Sequence, residues 1–512
     1  MSRPDSGAHH PLARMELLAI AGATLLLHAA AGARYGYFRD ELYYLACSDH
    51  LALGYVDHPP LSIAVLRLAR LVLGDSLWAI RLPAWLAAAA TVFVTGLLAR
   101  QIGGARFAQI LAALCVVVGP VYLGVGHFFS MNALDLLFWS VSALAFVHAI
   151  SSTRPAWWVA LGVLLGLGLL NKISVLWLGA GMAAVLLLTG ARRHLTTAGP
   201  WLTAAIAGAL FLPHVVWQIQ HGWPTLEFIE NATTRKMSPV APLEFLANQI
   251  VVQHPITLPV WTAGLLLLFR RGGQRLDARA LVWLFVVPAA ILLVSGTARA
   301  NYLSPAFPMI FAAGAVAIER MVQRQWLRAG MVVAIVAAGA VTAPAGLPVL
   351  PVETFIRYAA ALRLAPRAEE KTRVGLLPQH YADQFGWPEL AREVSAVYAG
   401  LSPDERGRCA ILATNYGRAG AIDFFGRELG LPRAISGHNS YYLWGPRDYT
   451  GDVMIIVGGS YEDHAPDFEQ VVEMRAVRCR YCMPYEDGVR IFVCRRLKMP
   501  LRDAWRSIKD YI

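Results

Sequence analysis

Two adjacent carboxylates, Asp40 and Glu41, sit in the stretch Tyr37-Phe-Arg-Asp-Glu-Leu-Tyr-Tyr44. Asp49-His50 and Asp57-His58-Pro59-Pro60 follow in the same segment. Adjacent acidic residues near a helix start either cap it, where the helix dipole favours negative charge, or stand available for acid–base work. The second reading gains weight from the other titratable groups nearby and from a connector of about 45 residues, long for a simple link between apolar runs.

A second group is His127-Phe-Phe-Ser-Met-Asn132-Ala-Leu-Asp135, with Asp135 at the start of an apolar run. An acidic group at that depth needs a partner or a polar cavity, which marks it as functional; Asn132 precedes it by one helical turn. Asn171-Lys172, at the end of another apolar run, reads as a snorkelling lysine. The segment 220–254 adds His221, Glu227, Glu230, Arg235, Lys236, Glu244 and His254. Arg235 and Lys236 there suit a phosphate or lipid head groups equally. Arg299 and Tyr302, in Arg299-Ala-Asn301-Tyr302-Leu-Ser-Pro305, are a second phosphate candidate. His58, His221 and His254 are the candidate metal ligands, but no H-x-x-x-H spacing links them, so a divalent metal is the weaker expectation and no cofactor is assigned. A G-x-x-x-x-G-K-[ST] phosphate loop is absent, which disfavours a nucleotide-driven pump.

The elements that must position these groups are mostly apolar. The chain has 512 residues, 56% of them hydrophobic and only 15% charged, with a mean hydropathy of +0.47. A soluble domain carries nearer a quarter charged residues, so this is a polytopic membrane protein by composition. The first apolar run is Glu16 to Ala33. Others cover 79–99, 107–125, 130–150, 156–170, 173–190, 200–219, 255–269, 280–296, 302–319 and 329–347, about eleven spans in all. One set of alternate loops carries Arg100, Arg106, Arg154, Arg192, Arg193, Arg270, Arg271, Arg275, Arg279, Arg320, Arg324 and Arg328. The other, outside the long segments 34–78 and 220–254, holds Lys172 and Arg299. The positive-inside rule then places the amino terminus in the cytoplasm and both long loops and the tail outside. The net charge of +11 is read as topology, because no basic stripe interleaved with aromatics points to nucleic acid.

The expected organisation is a transmembrane domain over residues 1–350 and an extracytoplasmic α/β domain over 351–512. The tail alternates β-like runs, Cys409-Ala-Ile-Leu-Ala and Val453-Met-Ile-Ile-Val-Gly-Gly, with helical stretches such as Ala421 to Leu429. Gly458-Gly459-Ser460 reads as a tight turn before an anion site. Four of the six cysteines, Cys409, Cys479, Cys482 and Cys494, lie in the tail, and a disulfide or reduced thiols are expected ahead of a redox or zinc role for Cys479-Arg-Tyr-Cys482.

Taken in order, Phe38-Arg-Asp-Glu-Leu-Tyr-Tyr, Asp57-His-Pro-Pro-Leu61, Arg81-Leu-Pro83, Asn132-Ala-Leu-Asp135 and Asn301-Tyr-Leu-Ser-Pro305 resemble the C-type integral-membrane glycosyltransferases. The similar branch is that of the protein O-mannosyltransferases and the lipid A aminoarabinose transferase. The resemblance covers residues 15–345. It implies an inverting transferase that takes a sugar from a polyprenyl phosphate on the outer face of a bacterial inner membrane and passes it to a lipid, glycan or protein acceptor. Asp40 is then the general base with Glu41 beside it, Asp135 helps to position acceptor or base, and Asp57 and Asn132 hold the acceptor or the loop. His58, Arg235, Lys236, Arg299 and Tyr302 become the candidates for the donor phosphate. One departure stands out: many relatives carry a lysine where this chain has His58, and a neutral imidazole holds a phosphate less firmly. The competing class is a transporter or flippase of lipid-linked sugars, disfavoured because the charged groups crowd the outer ends and no internal repeat is visible.

Overall fold

The computed structural model describes residues 10–268, 276–364, 366 and 370–512. Arg270, Arg271 and Arg275 of the orientation argument lie outside the described residues. Within them, six helices are long and apolar enough to cross a membrane: Arg14–Ala31, Leu77–Gln101, Met131–Ser151, Ala198–Gln220, Ala300–Met321 and Gln325–Gly346. Two bent pairs raise the number to as many as eight, Arg106–Val118 with Pro120–His127 at 64° and Val175–Leu188 with Gly190–Thr196 at 98°. Ala156–Asn171 and Arg279–Ser295 are shorter apolar helices. The sequence count of eleven exceeds these eight because three of its runs, 156–170, 280–296 and the described part of 255–269, coincide with helices shorter than a full span, and two more, 107–125 and 173–190, are bent. The run 107–125 contains Gly119-Pro120, and a proline has no N–H to continue the ladder, so a new helix starts at Pro120. Thr189 leaves the helical conformation and its hydroxyl accepts from Ala191 N, which restarts the chain in a new direction.

The chain divides into two compact units. The first takes the chain up to Gly32, Ile80–Val215 and Pro239–Val349; the second takes Ala33–Ala79, Val216–Ser238 and Leu350–Ile512. The first long loop and part of 220–254 thus cluster with the C-terminal segment, where the sequence boundary at 350/351 had kept them apart.

In the first unit Ala300–Met321 is the central span, with 89% of its apolar window buried, against 22% for Arg14–Ala31 and for Gln325–Gly346. Small residues bring its neighbours close: a Cβ on Gly264 would stand 2.6 Å from the Ile310 carbonyl oxygen. Arg81, fully buried, donates to the Gly32 carbonyl at 2.8 Å and lies 3.3 Å from His127 Nε2. The Arg81-Leu-Pro83 motif therefore ties chain segments together within the apolar interior.

The second unit is built on a four-stranded sheet of β1 (Cys409–Ala413), β2 (Val453–Val457), β3 (Phe468–Ala476) and β4 (Arg490–Leu497), in the order β1-β2-β4-β3. β1 and β2 are parallel; β4 is antiparallel to both β2 and β3. β2 is buried along its whole length, as its Val-Met-Ile-Ile-Val sequence requires of an interior strand. The helix Tyr416–Phe425 follows β1 and packs on the helix Arg39–Asp49. Glycines at one-turn spacing make the close crossing possible: a Cβ on Gly420 would meet the Leu42 carbonyl at 2.8 Å, and one on Gly417 would meet Arg39 Cγ at 2.6 Å. Gly458 and Gly459 adopt φ of 109° and 77° after β2 and form a turn, with Ser460 capping the short helix Tyr461–His464. All six cysteines are free thiols, and Cys482 Sγ donates to the Cys479 carbonyl at 3.1 Å.

Candidate active site

Asp40 lies in the first turn of the helix Arg39–Asp49, where the dipole favours its negative charge. Its side chain is 35% exposed, and both of its directional contacts fall on one oxygen: the Tyr416 hydroxyl donates to Oδ1 at 2.9 Å and Arg39 Nε lies 3.4 Å from the same atom. Among the described residues no hydrogen bond falls on Oδ2. Glu41 has a different position. It is fully buried, and its Oε2 accepts from the backbone N–H of Phe38 at 2.8 Å, closing the helix start.

Arg39 organises the surroundings of Asp40. Its backbone N–H donates to the Asp383 carbonyl at 3.0 Å, and its guanidinium donates to the Tyr485 hydroxyl at 2.9 Å, lies 3.9 Å from Asp383 Oδ2 and sits 5.4 Å over the Tyr416 ring. Asp383 is buried, and that burial raises its carboxyl to about 6 against the pull of Arg39, with the Asp40 charge adding to the rise. Four groups in this arrangement, Arg39, Asp383, Tyr416 and Tyr485, were not singled out from sequence. Three of them come from the C-terminal segment and carry no recognisable spacing. The glycine pair flanking Arg418 in Tyr416-Gly-Arg-Ala-Gly420 was the one signal that this helix approaches another backbone.

Asp57 and His58 stand close by in the chain but are enclosed. The Tyr43 hydroxyl lies 2.8 Å from Asp57 Oδ1 and 2.8 Å from Ser440 Oγ. A phenol has one proton, so Tyr43 donates to the carboxylate and accepts from the serine, while Ser440 Oγ accepts from Val56 N at 3.2 Å. Burial raises the Asp57 carboxyl above its ordinary value. His58 is fully buried among the rings of Tyr43, Tyr44 and Tyr55, with Nδ1 3.0 Å from the Pro59 carbonyl and Nε2 3.9 Å from Asp57 Oδ1. It presents no exposed nitrogen, which corrects the expectation that His58 meets a donor phosphate.

Arg235 and Lys236 lie in the same unit and already have acidic neighbours: Arg235 is 3.2 Å from Asp510 and Lys236 is 3.9 Å from Glu370. His221 Nδ1 lies 2.8 Å from the Trp217 carbonyl. His254, in the first unit, accepts from Ile256 N through Nδ1 at 3.1 Å. Among the described residues no group of three His, Cys, Asp or Glu side chains could hold a metal ion.

The first unit has its own polar cluster. Asp135 is fully buried in the first turns of Met131–Ser151; its Oδ2 accepts from the Ser174 hydroxyl at 2.9 Å and lies 3.5 Å from Lys172 Nζ. Lys172 donates to Asn132 Oδ1 at 2.8 Å and stands 5.6 Å from the centre of the Tyr302 ring. Asn171 anchors the turn by donating to the Met131 carbonyl at 2.9 Å. Three expected site residues, Asn132, Asp135 and Tyr302, therefore gather on Lys172. That corrects its reading as a snorkelling lysine: its side chain is 17% exposed and directed into this cluster. Arg299 lies at the start of the turn Ala300–Ala306 that carries Tyr302.

A cavity of about 540 Å³ in the second unit lies against Leu42, Leu45, Ala46 and Asp49. At 100° per residue these positions fall on the helix face opposite Asp40, so the cavity does not lead to its carboxylate.

The family model of dolichyl-phosphate-mannose-protein mannosyltransferases matches residues 57–217. The lipid A galacturonosyltransferase RgtD of Rhizobium johnstonii is 27% identical over 304 residues, 57% of this chain and 61% of the relative's length. The chain thus matches less than two thirds of that curated relative. Among solved structures, ArnT from Cupriavidus metallidurans bound to undecaprenyl phosphate superposes with a TM-score of 0.61 at 16% identity, over 94% of this chain and 97% of that one. The arabinofuranosyltransferase AftD from Mycobacteria gives a TM-score of 0.53 at 14% identity, over 95% of this chain and 40% of its own. At such identities the structural likeness concerns the fold. By family model, curated relative and fold, the chain resembles the ArnT-like, C-type integral-membrane glycosyltransferases.

Proposed function

We propose that the protein is an inverting glycosyltransferase that moves a sugar from a polyprenyl-phosphate donor to a hydroxyl of a lipid, glycan or protein acceptor. The observation that carries this reading is Asp40: a partly exposed carboxylate with one oxygen held and the other without a hydrogen bond among the described residues. Such a group can take the acceptor's proton as the hydroxyl oxygen attacks the anomeric carbon. The C–O bond to the phosphate breaks, its electron pair leaves with the polyprenyl phosphate, and the proton on Asp40 passes to solvent. Single displacement inverts the anomeric centre.

The leaving phosphate gains charge and calls for cations or donors. Within the first unit, Lys172 with Tyr302 and Arg299 is a cluster of the chemistry a phosphate needs, and Asp135 and Asn132 hold Lys172 there. Arg235 and Lys236 are the candidates within the second unit, each standing near a carboxylate as Lys172 does. The undecaprenyl phosphate in the ArnT structure supports a polyprenyl-phosphate donor here, and the lipid A galacturonosyltransferase relative supports a lipid among the acceptors. The loop charges support an orientation with the second unit on the outer face, and the likeness to ArnT of Cupriavidus metallidurans and to RgtD supports a bacterial inner membrane.

Purified protein with a labelled polyprenyl-phosphate sugar and total envelope lipids, glycans and proteins as acceptors tests the reading. Transfer by wild type that is lost in Asp40→Asn is expected. Transport of the intact donor without cleavage of the sugar–phosphate bond would instead establish a flippase.

A further inference from the structure

We infer that Tyr416, carried by the C-terminal segment, is the positioning residue for Asp40: its hydroxyl fixes Oδ1 and so leaves Oδ2 aimed for the acceptor's proton. This rests on the transferase reading above and gives the C-terminal segment a part in the reaction.

The Tyr416 hydroxyl donates to Asp40 Oδ1 at 2.9 Å, and the phenol itself is held from every side. Its backbone N–H donates to His438 Nδ1 at 3.2 Å, and its ring lies 4.7 Å from the His438 ring and 4.7 Å from that of Tyr43. The Arg39 guanidinium covers the ring at 5.4 Å. Because His438 accepts through Nδ1, its proton sits on Nε2 and is given to the Ile512 carbonyl at 2.8 Å. Burial keeps that imidazole neutral, its value lowered to about 4. Asn415 caps the Tyr416 helix by accepting from Arg418 N at 2.9 Å and donates to Glu486 at 3.1 Å, which fixes the helix start.

The chemistry requires a donor of this kind. A carboxylate free to rotate exchanges its two oxygens and spends little time oriented for proton transfer. A phenol bound to one oxygen holds the group while keeping its own proton, since burial raises the Tyr416 hydroxyl well above its ordinary range. An ammonium at the same place would compete with the acceptor for negative charge. Tyr43 does the same for Asp57 one ring away, so two neighbouring phenols each hold one carboxylate.

The test is Tyr416→Phe, which keeps the ring contacts and the backbone bond to His438 and removes the donor. A fall in kcat of about 10- to 100-fold is expected, a part of what a positioned general base supplies, with KM for acceptor and donor unchanged and a modest fall in thermal stability from the lost hydrogen bond. In an Asp40→Asn background the same substitution should change the residual rate by less than about twofold, since Tyr416 acts through Asp40. Should Y416F fail to fold, His438→Asn, which loosens the phenol from behind, carries the same kcat-only expectation. Wild-type kcat in Y416F, or an equal fall in the Asp40→Asn background, would overturn the inference while leaving the transferase reading intact. An inactive wild type would overturn both.

Discussion

Glu41 Oε2 accepts a 2.8 Å hydrogen bond from the backbone N–H of Phe38, and this bond gives two adjacent carboxylates different work. Glu41 closes the helix that carries Asp40; Asp40 faces outward from it. Asp40→Asn is expected to lower transfer by about 10²- to 10⁴-fold while folding normally, because an amide oxygen still accepts from Tyr416. Glu41→Ala should lower stability by about 1–2 kcal/mol through loss of the cap, and Glu41→Gln much less, since glutamine fills the same position. Single-turnover transfer and thermal unfolding in detergent separate the two effects. Loss of activity in a stable Glu41→Gln would give Glu41 a chemical role.

Asp383 provides a pH signature. Its folded value of about 6 lies above the ordinary 3.8, so the folded state binds the proton more tightly than the unfolded chain does. A raised carboxyl adds stability below about pH 4 and loses it as pH rises toward 6, at no more than about 1.4 kcal/mol for each step of one in pH. Asp383→Asn cannot titrate, so the difference in melting temperature between wild type and this variant should move against wild type from pH 4 to pH 6 and level off above. A difference independent of pH in that window would show that the carboxyl is not raised.

The polar cluster of the first unit is a coupled pair. Lys172 stands 3.5 Å from a fully buried Asp135, so Lys172→Met leaves a buried carboxylate without its cation and is expected to cost about 3–5 kcal/mol. Asp135→Asn keeps the Ser174 bond in part and relieves that burden. The double variant should therefore be more stable than Lys172→Met alone, with a coupling of at least about 1 kcal/mol in a thermal double-mutant cycle. Additive losses would mean that the two groups do not interact.

Asp40 and Asp135 stand out in the sequence because a carboxylate beside an apolar run is costly without a partner or polar surroundings, and that cost is visible residue by residue. The strands at Cys409 and Val453 were legible for the same local reason, a short apolar run between turns. Tyr416 was not: it lies 376 positions from Asp40, and a lone tyrosine carries no pattern that announces such a partner. Lys172 was misread because its partner Asn132 is 40 residues away, while a lysine at a helix end has an ordinary local explanation. His58 was a phosphate candidate through the resemblance alone, in the place where many relatives carry a lysine; in the structure three tyrosines from nearby positions close over it. Glu41 shows the converse: capping was one of two readings of the Asp40–Glu41 pair, and adjacency alone could not divide the two residues between the readings.

The crossing of the helices Arg39–Asp49 and Tyr416–Phe425 depends on Gly420, where a Cβ would stand 2.8 Å from the Leu42 carbonyl. That atom is backbone and cannot rotate away, so Gly420→Ala must push the helices apart, at a cost of about 1–3 kcal/mol. The displacement acts one turn from Tyr416, so transfer should fall as well, by more than the loss of folded protein explains. Gly407 supplies the control: it lies in the helix Pro403–Arg408 with nothing within 4 Å of an added Cβ. Alanine there should leave transfer unchanged and raise stability slightly through helix propensity. Thermal unfolding and transfer rates on both variants decide the matter. A Gly420→Ala protein as stable and active as wild type would show that the close approach of the two helices is not what places Tyr416 against Asp40.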